Sequence, residues 1–115
     1  MNPKLPKKLE KILLSTLTDY DEYAEGKIAS TDLYDAFAKN VIIEESLLQR
    51  VSLTGAKLPK LRLRDVRLEG CDISVAFLEN CRMRRVEFIS CRLLGVQMLS
   101  AEMDDVLFKE CNLEG

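Results

Sequence analysis

Four cysteines and a cluster of arginines are the residues of this chain best equipped for chemistry, and their spacing limits what they can do. Cys71, Cys91 and Cys111 recur at intervals of 20, with Cys81 midway between the first two. Zinc sites take their thiolates from close pairs such as C-x2-C, whose ligands converge on one point. Thiols repeated every 20 residues in a periodic chain form a straight inward ladder instead. Cysteines so placed serve as small buried hydrophobes, and parallel side chains do not reach the usual disulfide torsion. No metal or other cofactor is expected.

The arginines are more informative. Arg62 and Arg64, then Arg82, Arg84 and Arg85, stand 20 residues apart between acidic clusters at Glu44 and Glu45 and at Glu102, Asp104 and Asp105. Stacked at that period, Arg64 meets Glu44, Arg85 lies between Asp65 and Asp105, and Arg84 lies above Asp104. This makes a surface ion-pair ladder, each rung worth about 0–1 kcal/mol. Arg62 also stacks on Arg82 and Arg64 on Arg84, and the residual repulsion suits a patch that docks an acidic partner or phosphate.

Composition closes off other chemistries. The 115 residues include no histidine, which removes the commonest general base and any Ser-His or Cys-His nucleophile pair. No Gly-rich phosphate loop or set of converging carboxylates replaces it, so no enzyme is expected. With no tryptophan and a net charge of −2, the chain has little to stack on or attract nucleic acid directly. No apolar run approaches the roughly 18 residues of a membrane helix, and charge interrupts the only signal-like stretch, so a cytoplasmic location is expected.

The elements that position these residues follow from a period of five. From Val41 onward, Ile43, Leu48, Leu53, Leu58, Leu63, Leu68, Ile73, Leu78, Met83, Phe88, Leu93, Met98, Met103, Phe108 and Leu113 fall at one place of every pentad. Two places earlier stand mostly small or β-branched residues, among them Val51, Ala56, Val66, Cys71, Ala76, Cys81 and Val86. Five matches neither the helix period of 3.6 nor the strand period of 2. It suits a chain that turns a corner every five residues, with two side chains in and three out. Four sides close a coil of about 20 residues, stacked at the roughly 4.8 Å spacing of paired strands. Leu48, Leu68, Phe88 and Phe108 then form one interior column, and Ile43, Leu63, Met83 and Met103 another. Leu68→Asp should unfold such an array and Arg67→Asp should barely matter.

The pentads Cys71-Asp72-Ile73 and Cys111-Asn112-Leu113, with Ala56-Lys57-Leu58 at the inward places, resemble the Ala-Asp/Asn-Leu-X-X repeat of the pentapeptide-repeat family. The resemblance implies an all-β solenoid, a right-handed quadrilateral β-helix, over residues 41–115, about three and a half coils. It also implies a second functional class, because some members mimic duplex DNA and bind type II topoisomerases such as gyrase.

Residues 1–40 read differently. Leu9, Ile12, Leu13, Leu17 and Tyr20 share a face at helical spacing, Pro6 suits a first turn, and Gly26 a stop. A second helix is expected from about Ser30–Asp32, carrying Leu33, Tyr34, Ala36 and Phe37. Together they make a short α-helical N-terminal cap for the first coil. Asp21, Glu25, Gly26, Ile28 and Asp32 fall at EF-hand loop places, but Tyr23 at the third place supplies no carboxylate, and a helix–turn–helix corner accounts for the same residues.

At the other end, Ile89, Leu94 and Leu99 occupy equivalent outward places on three successive sides, followed by Leu107. Outward apolar residues of this kind mark a covered surface, either a continuation of the chain past Gly115 or a homodimer through the C-terminal coil. The expectation is a non-enzymatic scaffold that binds an unidentified protein partner through a flat solenoid face, without direct nucleic-acid or membrane contact.

Overall fold

Every fifth residue from Tyr20 to Glu110 has a left-handed φ, between 49° and 69°. That regularity sets the architecture of the computed structural model, which describes residues 2–113. The backbone bends four times in each 20 residues and returns above its start. At corners such as Leu53–Ala56, Ile73–Ala76 and Leu78–Cys81, the N–H of the last residue donates to the carbonyl of the first, at 3.0–3.3 Å. The left-handed residue takes the third place, as a type II turn requires.

Among the described residues, seven strands form one parallel stack. They are β1 (Glu10–Lys11), β2 (Glu22–Ala24), β3 (Gly26–Ala29), β4 (Ile42–Gln49), β5 (Arg62–Glu69), β6 (Arg82–Ile89) and β7 (Glu102–Lys109). The order is β1-β3-β4-β5-β6-β7, with β2 also on β4. Strands β4 to β7 each cover two sides of the coil and bend at Glu45, Asp65, Arg85 and Asp105. The other two sides pair through single bridges such as Ser52 with Asp72 and Lys57 with Phe77. The result is an all-β parallel solenoid of about 5 turns.

The register is the 20-residue one. Ile43 pairs with Leu63, Leu63 with Met83 and Met83 with Met103; Leu48, Leu68, Phe88 and Phe108 follow in the next column. Both columns point inward, and Phe88 stacks on Phe108 with ring centroids 4.8 Å apart. Small residues such as Ala56, Val66, Ala76 and Val86 are fully buried beside them. Each large inward side chain removed from water contributes roughly 1.5–3 kcal/mol, and an apolar cavity of only about 30 Å³ remains on the axis.

The first forty residues depart from expectation. Among the described residues there is no helix, so the α-helical cap over residues 1–40 is corrected to further solenoid. Tyr23 stacks on Ile43 and Ile28 on Leu48, one coil above the start of the clear repeat. Leu33 and Ala38 continue the inward series and are buried. The apparent helical face is split: Leu17 is buried and Ile12 partly so, whereas Leu13 and Tyr20 face solvent. Tyr34 and Phe37 of the second expected helix also point outward. The expected three and a half coils become about 5 because the coils above Val41 count too.

Candidate docking face

Strands β4 to β7 present their outward residues in register, so one face of the solenoid reads Ile42 and Glu44, Arg62 and Arg64, Arg82 and Arg84, then Glu102 and Asp104. Parallel pairing forces Arg62 beside Arg82 and Arg64 beside Arg84, and like charges directly opposite are destabilising. The five arginines resolve into two groups.

Arg64 and Arg85 are committed to an internal network. Arg64 Nε donates to Glu44 at 3.1 Å, and its terminal nitrogens reach Glu45 at 3.3 Å and Asp65 at 2.8 Å. Arg85 grips Asp65 with two nitrogens, at 2.7 and 2.8 Å. Asp65 is only 2% exposed, and a buried carboxylate persists when its lone pairs are taken up by donors. The Arg85 hydrogen bonds, the backbone N–H of Lys4 and the charge of Arg64 outweigh burial and hold its carboxyl at about 2. The same contacts raise Arg85, and the Glu44 hydrogen bond raises Arg64.

The Lys4 contact was invisible in the sequence. Lys4 N donates to Asp65 at 3.0 Å across 61 residues. From β1 at the top of the stack, the N-terminal segment therefore runs down the outside as far as β5. Pro3 is buried there, so the segment is a strap over the Asp65 corner.

Arg62, Arg82 and Arg84 stand apart from this network. Arg82 reaches Glu102 at 3.3 Å, but both side chains are largely exposed and water screens the pair. Arg84 stacks above Asp104 in register, yet neither it nor Arg62 makes an ion pair among the described residues. A groove of about 450 Å³ lies among Arg62, Arg64, Arg82 and Arg84, with Leu63 and Met83 in its lining. A second, of about 700 Å³, runs alongside and adds Lys60, Asn40 and Asn80.

Arg67 lies on the neighbouring side. Its Nε donates to Glu87 at 3.0 Å, and Glu87 is nearly buried. Arg67→Asp would set two carboxylates against each other, so the expectation that it barely matters is corrected.

The other candidate residues are not gathered into a site. Cys71, Cys81 and Cys91 are buried free thiols and Cys111 is half-buried. Cys71, Cys91 and Cys111 each donate to a carbonyl of the coil above, those of Leu48, Leu68 and Phe88, at 3.2–3.5 Å. Burial pushes the Cys81 thiol up; contact with Cys71, then burial, does the same for Cys91. Asp21 binds the Thr18 N–H and hydroxyl and the Tyr23 hydroxyl, while Glu25 takes the corner that ends its side and Asp32 bridges to Ser52 two sides on. The Thr18 N–H is the main cause of the lowered Asp21 carboxyl, and burial first, then Asp21, lifts Tyr23 to about 12.

Ile89, Leu94 and Leu99 lie on three successive sides, and Leu107 returns to the side of Ile89 one coil below. Ile89 and Leu94 are half-buried; Leu99 and Leu107 are exposed. The apolar surface of this end also includes inward residues of β7 and its neighbours, among them Met103 and Leu113. The expectation about Gly115 lies outside the described residues. On the far side from the arginines, an exposed apolar set stands beside one corner: Tyr34 and Phe37 on one coil and Val75 and Phe77 two coils below, with Lys57 between the two phenylalanines. The sequence signal for it was present: bulky residues at outward places of the pentad.

No curated protein matches the chain in sequence. Among solved structures, similarity is found to a pentapeptide repeat protein, Rfr23, from the cyanobacterium Cyanothece 51142, at 19% identity and TM-score 0.47, over 81% of this chain and 64% of that one. Similarity is also found to QnrB1, a plasmid-mediated fluoroquinolone resistance protein, at 15% identity and TM-score 0.40, over 86% of this chain and 51% of that one. The chain thus spans less than two thirds of the length of either. The profile described as "Pentapeptide repeat region" matches residues 41–115, most of the chain and the whole of the clear repeat. With its left-handed residue at every fifth place and its inward pair in each pentad, the chain belongs to the pentapeptide repeat family.

Proposed function

We propose that this chain is a non-enzymatic scaffold that binds an acidic partner protein through the outer face of β5 and β6, with Arg62, Arg82 and Arg84 as the contacting cations. One observation carries the reading. Among the described residues Arg62 and Arg84 are left without ion pairs while each is stacked against another arginine. A folded chain gains nothing from that repulsion, whereas an anionic partner would relieve it. Arg64 and Arg85, held by Glu44 and Asp65, stiffen the rim of the face. The buried free thiols suit a reducing compartment, and we place the scaffold in the cytoplasm.

Mimicry of duplex DNA toward a topoisomerase asks for carboxylates along the axis. The two middle coils carry arginines there, which favours the scaffold. The test is co-purification from the source cells with Arg82→Glu/Arg84→Glu beside Lys57→Glu on another side. The partner should be lost with the arginine pair and kept with Lys57→Glu. Equal recovery with both would overturn the face, and inhibition of gyrase supercoiling by the chain would favour the mimic.

A further inference from the structure

On the docking-face reading above, we propose that the concavity among Arg62, Arg64, Arg82 and Arg84 receives a phosphoryl group borne on a side chain of the partner protein. Four features of the face lead there.

The first is the choice of cation. Between Lys60 and Lys109 every positively charged residue is arginine. Lysine would solvate a surface equally well, but only the guanidinium offers a planar fork that matches phosphate oxygens two at a time.

The second is the state of those forks. Arg62 and Arg84 sit diagonally across the groove with no ion pair among the described residues, and Arg82 is held only by an exposed pair to Glu102. Arg64 is already turned by Glu44 and Glu45. Two unneutralised guanidiniums, with a third nearly free, fit a group carrying close to two negative charges. A phosphate monoester carries about −1.5 to −2 at pH 7, and a single carboxylate carries one.

The third is height. The basic band is two coils deep, on the order of 10 Å at the spacing of paired strands. Glu44 closes it above, and Glu102 and Asp104 close it below. One compact dianion fits between those acids, whereas a run of successive phosphates would meet them.

The fourth excludes a second copy of the chain centred on this face. Along the axis the charges run acidic, basic, basic, acidic. A two-fold axis through the middle would lay arginine on arginine and carboxylate on carboxylate.

The test is a heteronuclear NMR titration of the full chain, reading backbone amides of β5 and β6 and the arginine Nε–H signals. The probes are four blocked pentapeptides of glycine that differ at the centre only: phosphoserine, serine, glutamate and paired glutamates. Inorganic phosphate and a deoxythymidine decamer complete the set. The phosphoserine peptide should shift Arg62, Arg82 and Arg84 saturably and bind about ten-fold or more tighter than any other probe. Arg62→Lys/Arg84→Lys should weaken it several-fold, and Arg62→Ala/Arg84→Ala should bring it to the serine background. The lysine variant should keep the wild-type melting temperature and the alanine variant should melt at or slightly above it, since neither removes an ion pair made among the described residues and the second relieves the arginine stacking.

Undiminished binding by the alanine variant would overturn the proposal. So would inorganic phosphate binding as tightly as the peptide, or the decamer binding more tightly. Equal binding of the paired-glutamate peptide removes the phosphoryl group and leaves the docking face standing. If no probe gives saturable shifts, the phosphoryl assignment falls, and the charge-reversal co-purification decides the face by itself.

Discussion

Two diagonally opposite corners of the solenoid share a backbone and little else. The column Glu45, Asp65, Arg85 and Asp105 and the column Asp35, Gly55, Val75 and Gly95 all have φ between 49° and 69°. At the first, a carboxylate is buried, gripped by two arginines and capped by the N-terminal strap. At the second, Val75 stands 52% exposed, two residues from the exposed Phe77. The coil therefore demands one conformation at each corner and leaves the side chain open. What is built beyond that demand reports on something other than the fold. The Asp65 corner uses the freedom to fix two guanidiniums at the edge of the arginine face; the Val75 corner keeps a β-branched residue in a conformation it disfavours.

Both corners wrap the same core, so a charge placed in that core sets the upper limit against which they are measured. Leu68→Asp should abolish cooperative unfolding, because an unpaired carboxylate would lie between Leu48 and Phe88 in a column with no polar partner. Arg67→Asp, one residue away but outward, should cost about 1–3 kcal/mol through the stranded Glu87. Urea melts of the two variants compare them directly. A folded Leu68→Asp protein with an unchanged midpoint would break the inward register.

The Asp65 corner comes next in size. Asp65→Asn keeps the side-chain shape and suits a left-handed φ, but it removes the charge and turns one of two accepting oxygens into an NH2 that faces N–H donors. A carboxyl held at about 2 in the fold and near 3.9 in the unfolded chain contributes on the order of 2–3 kcal/mol. That contribution is fully present above about pH 4 and is lost as pH falls through 2. Wild type should thus be the more stable at pH 7, and the two melting curves should converge near pH 2. A gap that stayed constant with pH would mean that the charge is not what holds this corner.

The inward columns and the arginine stacking were legible because period five and period 20 are carried by side chains, and side chains are what a sequence records. The first forty residues were legible only in part. Tyr23, Ile28, Leu33 and Ala38 keep the inward place, but Asp21 and Thr31 stand where small apolar residues stand later, and Leu9, Leu13 and Tyr20 add an accidental helical spacing. β1 also sits 16 residues from its partner rather than 20, which shifts the frame before Tyr20. The strap could not be read at all: its anchor is a backbone N–H, which Lys4 shares with every residue but proline. The corners were half-legible. Asn40, Gly55, Gly70, Asn80 and Gly95 announce a left-handed φ, whereas Arg50, Lys60 and Val75 adopt it because their neighbours above and below do.

The smallest effect gives the sharpest contrast. Asparagine tolerates the left-handed region and valine does not, the difference being about 1 kcal/mol. Val75 is mostly exposed, so replacing it forfeits little burial. Val75→Asn should therefore raise the urea midpoint by the equivalent of about 1 kcal/mol. The same new residue, in the same backbone conformation, should then destabilise the chain at position 65 and stabilise it at position 75. A loss of stability at 75 would mean that Val75 packs against its neighbours on the surface strongly enough to outweigh its strain. The apolar corner would then be, like the charged one, held by its side chains rather than merely accommodated by the coil.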